Sequence, residues 1–387
     1  MTGVSAVIHL YSIGYMKGDP DFRKFFVYMN LFVFSMVVLV LGGNFLFTFV
    51  GWEGVGLCSY LLIGFWFERD TAATAAKKAF VVNRMGDFGF LLAMFLIVGH
   101  FHTLDFNTVL SHAGTLSKDT ALAISLLLLL GAVGKSAQLP LYAWLPDAME
   151  GPTPVSALIH AATMVTAGVY LMTRINPILS VSPAAYTAVA ILGAVTAFYA
   201  ATVACAQDDI KRVLAYSTIS QLGYMFLGVG SAAFGAAIFH MLSHAFFKAL
   251  LFLGAGSVIH GLSGEQDLRK MGGLAPRMMT TTVTFLVGAF GLAGVPPLAG
   301  FFSKDEILGA VFHEHHYLLW ALLVVGAFMT AFYTFRLVFL AFFGGPRMPK
   351  EVAHHIHESP ASMTVPLIIL AVATVVAGLA FGIPSST

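Results

Sequence analysis

Charge is scarce in this chain. Asp, Glu, Lys and Arg supply only 10% of its 387 residues, hydrophobic residues supply 58%, and the mean hydropathy is +0.85. A soluble globular domain carries about 25% charge, so that class is excluded and a polytopic membrane protein is expected. The formal net charge of +1 gives no basic surplus for nucleic acid. Cysteine is nearly absent: Cys58 and Cys205 lie far apart in apolar stretches and read as packing residues rather than a disulfide. No CxxC, HExxH or Cys/His cluster points to a metal. The histidine runs HEHH at 313–316 and HHIH at 354–357 read as solvated loops. No iron–sulfur cysteine pattern and no GxGxxG after a strand occurs, so no redox centre is expected here. A signal peptide is missing too, because MTGVSAVIHLYSIGYM lacks a basic n-region and a cleavage site. That stretch is short for a span, since about 20 residues are needed to cross the hydrocarbon. It reads as the second half of a helix, as in a fragment.

What the chain has in abundance is long apolar segments. Eleven full ones are expected near 26–41, 44–67, 79–101, 121–139, 152–173, 183–206, 211–229, 232–260, 279–302, 317–343 and 364–383, after the partial first. Their length suits helices, because barrel strands would be about 10 residues of alternating polarity. Threading the spans alternately puts Lys17, Arg23, Lys24, Arg69, Lys77, Lys78, Lys211, Arg212, Arg269, Lys270, Arg277, Arg347 and Lys350 on one side. Only Lys118 and Arg174 fall on the other, so the first side is cytoplasmic or matrix. Arg84 and Arg336 remain inside spans, within about two turns of a cytoplasmic end, where they snorkel.

Four charges resist that explanation: Glu53, Lys135, Lys248 and Lys304. A charge at the centre of a membrane helix costs about 2.5–3.5 kcal/mol on translocon scales, and such residues mark ion or proton paths. Two of the lysines adjoin broken helices. SAQLPLYAWLPDAMEGPTP follows Lys135, and GLAGVPPLAG precedes Lys304. Proline interrupts a helix, and irregular backbone at membrane depth is tolerated only against protein or a water-filled cavity. Paired breaks in two halves suggest an inverted-repeat transporter. His240, His244 and Lys248 share a helical face at i, i+4, i+8, and His160 lies mid-span in PVSALIHAATMVT. Histidine titrates near neutrality and suits a relay. Asp87 follows Arg84 by three residues and is expected to pair with it. Glu53 is the expected counter-charge of Lys135. Opening that pair would release a proton, since burial disfavours a lysine's charge and a carboxylate favours it.

The motifs GWEGVGLCSYLLIGFWF, GKSAQLPLYAWLPDAMEGPTPVSALIHAATMVTAGVYL, DDIKRVLAYSTISQLGYM, HAFFKALLFLGAGSVIH and AGVPPLAGFFSKDEIL resemble the large antiporter-like subunits of proton-pumping NADH:quinone oxidoreductase, or complex I (chain L in bacteria, chain five in mitochondria). The resemblance covers essentially the whole chain. It implies an all-α fold of two inverted five-helix repeats, each with a broken helix. The repeats fall at 25–173 and 183–343, after a partial helix and loop at 1–24 and before a loop and last helix at 344–387. It implies a proton relay through Glu53, Lys135, His160, His240, His244, Lys248 and Lys304, with Asp87 and Asp305 in support. Glutamate is usual at the Lys304 position in the other antiporter-like chains, so the lysine favours chain L. NADH, FMN, iron–sulfur clusters and quinone would be bound by partner subunits of the membrane and peripheral arms. The membrane would be the bacterial inner membrane or the mitochondrial inner membrane. Intact members extend at both ends, so a partial sequence is expected. The alternatives are the large subunit of a multisubunit cation/proton antiporter and a hydrogenase-linked pump module.

Overall fold

A computed structural model describes residues 1–349 and 356–382. Lys350, His354 and His355, which figured in the charge count and the histidine run, lie outside the described residues, as do residues 383–387. Among the described residues the chain is helical without strands, apart from two isolated bridges. Fourteen helices matter here: α1 (Thr2–Tyr15), α2 (Phe22–Leu41), α3 (Phe45–Ile63), α4 (Asp70–Phe101), α5 (Lys118–Lys135), α6 (Thr153–Ala161), α7 (Ala167–Arg174), α8 (Pro183–Ala206), α9 (Ile210–Gly230), α10 (Phe234–Gly261), α11 (Met279–Ala293), α12 (Ala299–His313), α13 (Tyr317–Phe342) and α14 (Ala361–Phe381). Among the described residues eight helical segments are long and apolar enough to cross a membrane, the α6–α7 stretch counting as one. Cys58 and Cys205 are free thiols.

Helix starts follow local capping. The side chains of Asn44, Ser117 and Asp209 accept hydrogen bonds from the first-turn amides of α3, α5 and α9. Two of these caps belong to matching clasps. Asn44 bridges Asp105, with Phe45 N–H donating to Leu104 O and Phe106 N–H to Gly43 O. Asp209 bridges Asp267, with Ile210 N–H donating to Gln266 O and Leu268 N–H to Asp208 O. Each clasp joins the start of one helix to the chain just beyond the end of the next. Asp267 sits in a loop, where hydrogen bonds from Arg269 hold its carboxyl down at about 2.

Three spans differ from the sequence expectation. The helix expected from 79 begins at Asp70. Its first turns, DTAATAAKKAF, are too polar for a hydropathy signal but rich in alanine, the strongest helix former. The span expected at 152–173 is two helices, with the break at Ala162–Thr163. The span at 279–302 is also divided: α11 stops at Ala293, Gly294 takes a left-handed φ of 80°, and α12 resumes at Ala299 and runs to His313.

α10 is the hub of the interior, packing against α6, α9, α11, α12 and α14. The α6–α7 stretch is the most enclosed, 89% of its apolar window being buried. A helix apolar all round and buried all round belongs to the core of a bundle. The outer helices show the opposite. Phe328, Phe332 and Phe339 of α13 and Val365, Val372 and Val376 of α14 are exposed, as lipid-facing residues are.

The extensively packed helix pair α8 and α9 is built on small residues. A Cβ added at Gly223 would stand 2.5 Å from Gly193 O, and one at Gly193 would stand 2.6 Å from Gly223 O. Backbone on both sides leaves nowhere for it to go. Gly223→Val is expected to destabilise the fold by about 1–3 kcal/mol through overpacking, read as a lower thermal midpoint in detergent. The midpoint of Gly3→Val should not move, because a Cβ there meets nothing within 4 Å.

Candidate functional site

α5 ends on Lys135, and the chain then runs irregularly to α6. Lys135 is 1% exposed. Its Nζ lies 3.6 Å from Asp87 Oδ1 on α4 and 6.0 Å from the centre of the Trp52 ring on α3. Trp52 Nε1 donates to the same Asp87 Oδ1 at 2.7 Å. The expected partners are therefore exchanged. Glu53 pairs with Arg84, Oε2 to Nη1 at 2.5 Å, and Asp87 pairs with Lys135. The helix register explains the exchange. Arg84 is largely exposed and Asp87 is buried, so one turn of α4 presents one charge outward and one inward. The long arginine reaches out to Glu53, and the short aspartate faces the core. Lys135 still touches the same helix as Glu53, since a Cβ at Gly56 would lie 2.8 Å from Nζ. Arg84 is also deeper than expected. It sits 14 residues after Asp70, about 21 Å along the helix, and engages Glu53 rather than snorkelling. Arg336 reaches Gln207 O and Asp208 Oδ1 at 2.6 Å each near the end of α13.

A second cluster gathers on α10. His240, His244 and Lys248 are all buried to 0% exposure. Lys248 Nζ donates to Leu214 O at 3.1 Å and to Ser217 Oγ, and no carboxylate pairs with it among the described residues. His240 bonds through Nδ1 to Ser303 Oγ at 2.8 Å and through Nε2 to Gln221 Oε1 at 3.2 Å. Ser303 precedes Lys304, whose Nζ donates to Leu292 O at 2.5 Å and stands 5.7 Å from the Tyr224 ring centre. Leu292 belongs to the last turn of α11, where carbonyls have no helical partner. The break thus supplies the acceptor that holds the lysine. Asp305 is exposed, turned outward by one step of the helix, so Lys304 alone of the two faces the interior.

Two histidines lie where α6 packs on α10. His244 Nδ1 lies 3.2 Å from Ala161 O, the last carbonyl of α6. His160, one residue earlier, is fully buried with its ring 4.8 Å from that of Phe252, and neither of its nitrogens has a hydrogen-bond partner among the described residues. His160 does not touch Lys135 directly. The buried oxygens Ser136 Oγ, Gln138 Oε1 and Ser156 Oγ, carried by the irregular segment and the start of α6, are also unpartnered. Buried polar atoms are nearly always satisfied by protein or ordered water. This series is a row of unsatisfied polar atoms between Lys135 and α6.

Ser217, Gln221 and Tyr224 were not among the expected site residues. They occupy one face of α9 at i, i+4, i+7, and contact Lys248, His240 and Lys304 respectively. That spacing in YSTISQLGYM was the available signal. Among the described residues no group of three or more His, Cys, Asp or Glu side chains is placed to hold a metal. His315 and Tyr317 hydrogen-bond each other at the exposed end of α12.

Residues 42–330 match the family model described as NADH:quinone oxidoreductase/Mrp antiporter, TM, and residues 1–26 match that of the complex I chain 5 N-terminus. NADH-quinone oxidoreductase subunit L of Mycobacterium tuberculosis is 54% identical over 383 residues, covering 98% of this chain and 60% of its own length. NADH-ubiquinone oxidoreductase chain 5 of Metridium senile is 50% identical over 380 residues, covering 98% and 63%. The chain thus spans about 60% of the curated relatives it matches. Among solved structures, a chain of the Mrp complex from Dietzia superposes with a TM-score of 0.89 at 34% identity, covering 97% of this chain and 41% of that one. A chain of the archaeal membrane-bound sulfane sulfur reductase gives 0.88 at 27% identity, covering 98% and 64%. With the family model spanning most of its length, and with subunit L and chain 5 proteins as its relatives, this chain belongs to the NADH:quinone oxidoreductase/Mrp antiporter transmembrane family.

Proposed function

We propose that the chain is the core of a proton-translocating membrane-arm subunit of NADH:quinone oxidoreductase, moving protons through Glu53, Lys135, His160, His240, His244, Lys248 and Lys304, with Asp87 in support. The observation that carries this reading is the polar face of α9, in which Ser217, Gln221 and Tyr224 each face one ionisable side chain of the interior row, Lys248 and His240 on α10 and Lys304 on α12. A row of titratable groups spaced by hydroxyls and amides can pass protons, and it offers no cage of oxygen ligands for a dehydrated metal cation.

The chemistry follows from the contacts. Lys135 meets one carboxylate, Asp87, at 3.6 Å, longer than a hydrogen bond. That carboxylate is already fixed by Trp52, so a small movement of α5 changes the pairing of the lysine without unfolding the site. When the pair opens, the ammonium loses its counter-charge in a low-dielectric interior and its proton moves to hydrated acceptors toward His160. His244 and His240 continue the path to Lys304.

Two inverted repeats at 25–173 and 183–343 are supported by the matching clasps at Asn44–Asp105 and Asp209–Asp267 and by a lysine beside a helix break in each half. The eleven-span count with a partial first helix belongs to the same reading. Electron transfer from NADH through FMN and iron–sulfur clusters to quinone falls to partner subunits. Other membrane-arm subunits and the lipid of the bacterial or mitochondrial inner membrane are the surroundings.

The likeness to the Mrp complex chain favours a second reading, the large subunit of a multisubunit cation/proton antiporter. Both are tested by Lys304→Ala in the assembled complex, with ion pumping and NADH–quinone turnover measured together. Loss of proton pumping with turnover reduced in step is the expected outcome. Unchanged pumping overturns the relay, and pumping that requires sodium selects the antiporter.

A further inference from the structure

The membrane edge where α2 begins, α3 ends and α4 begins holds a feature that the relay does not use. A cleft of about 210 Å³ opens there between the three helices. Lys24 and Tyr28 of α2 form one wall, Tyr60 and Leu61 of α3 another, and Ala73, Ala76 and Lys77 of α4 the third. Gly64, Phe65 and Phe67 of the α3–α4 turn close the end.

The charges around it are unequal. Lys24 Nζ stands 5.0 Å from the Phe67 ring centre and 5.8 Å from that of Phe65, which keeps the ammonium at the cleft mouth. Its one ion pair, to Asp21 at 3.6 Å, joins two partly exposed side chains and is weak for that reason. Lys77 has no ion pair among the described residues, whereas its neighbour Lys78 is held by Asp147. Asp19 is turned to Trp66, whose Nε1 donates to Oδ2 at 3.1 Å, Glu68 and Asp70 are exposed, and none of the three lines the cleft. The cleft therefore carries a cationic surplus above an apolar and aromatic floor.

Its depth fits the same partner. Lys24 is two residues into α2 and Lys77 seven residues into α4, about 3 Å and about 10 Å along their axes. The aromatic residues Phe22, Tyr28, Tyr60, Phe65, Trp66 and Phe67 gather at this level, as they do at a membrane–water interface. Basic pockets between helices on the cytoplasmic side bind anionic headgroups, with the acyl chains following the apolar wall.

We propose that this cleft binds the phosphate of an anionic phospholipid, clamped between Lys24 and Lys77, with its chain against Phe67 and Leu61. The test is native mass spectrometry of the full chain released from nanodiscs of neutral phosphatidylcholine doped with phosphatidylglycerol. Wild type is expected to retain a phosphatidylglycerol that the double variant Lys24→Gln/Lys77→Gln holds roughly 30-fold more weakly, each lysine near the surface contributing about fivefold. Lys24→Arg/Lys77→Arg should keep the lipid, which separates lost charge from lost fold. Lys118→Gln, with its lysine far from the cleft, should also keep it. Equal retention by wild type and the Gln variant overturns the site. Displacement of the lipid by millimolar inorganic phosphate overturns the lipid assignment in favour of a free-phosphate site.

Discussion

Asp87→Asn is expected to lower proton pumping about as much as Lys135→Ala, roughly a hundredfold, the low end of what a positioned proton-transfer group supplies. Glu53→Gln should have a smaller effect. The sequence alone favoured the opposite order, because Glu53 was the carboxylate assigned to Lys135. The geometry puts Asp87 Oδ1 at 3.6 Å from Lys135 Nζ, while Glu53 Oε2 is engaged by Arg84. Removing the Asp87 charge leaves the buried ammonium with no carboxylate within 4 Å among the described residues, and breaking a buried pair from one side costs about 3–5 kcal/mol. Asp87→Asn therefore should also lower the thermal midpoint, whereas Lys135→Ala/Asp87→Asn together should recover much of it. The measurements are proton uptake by inverted vesicles alongside NADH–quinone turnover, and thermal unfolding of the purified complex. A Glu53→Gln variant more damaging to pumping than Asp87→Asn would reverse the assignment of partners.

Lys248→Met is expected to make the protein more stable and inactive. Lys248 is fully buried, and its contacts are one backbone carbonyl and the Ser217 hydroxyl, with no carboxylate pair among the described residues. Replacing buried ionic groups by apolar ones of similar volume is often neutral or stabilising, by about 1–4 kcal/mol. A residue kept only for packing would show the opposite sign. A raised melting temperature with pumping abolished would mark Lys248 as retained at the expense of stability. A lowered melting temperature would mark it as structural.

Much of the fold was legible because membrane spans are written in uninterrupted apolar runs. The bounds 183–206 and 211–229 fall within a residue of α8 and α9. The break after His160 was not legible, since ALIHAATMVT contains neither proline nor glycine. Its cause is tertiary: Thr163 Oγ–H bonds Leu158 O and His244 takes Ala161 O, so the carbonyls freed by the break are satisfied by side chains. The site was legible as a set of residue types and illegible as a set of pairs. Lys135, Lys248 and Lys304 stand out in any apolar run, but whether Asp87 or Glu53 faces inward depends on how α3 and α4 are rotated against each other. Asp305 fails for the same reason, one helical step having turned it outward. The polar face of α9 was written in the sequence but masked by the apolar residues between its members.

For the proposed relay, the hydrogen bond between His244 and Ala161 would set a direction on proton traffic. A backbone carbonyl can only accept, so Nδ1 of His244 carries the proton and Nε2 is the ring's open lone pair. A proton arriving at Nε2 makes the ring cationic, and the one at Nδ1 cannot leave while the carbonyl holds it. Onward passage requires the imidazole to turn or α6 to withdraw its carbonyl. The junction then works as a turnstile rather than an open pipe. In the proposed relay each half would fill with protons independently, and a turn of the imidazole or a movement of the broken helix would let one through.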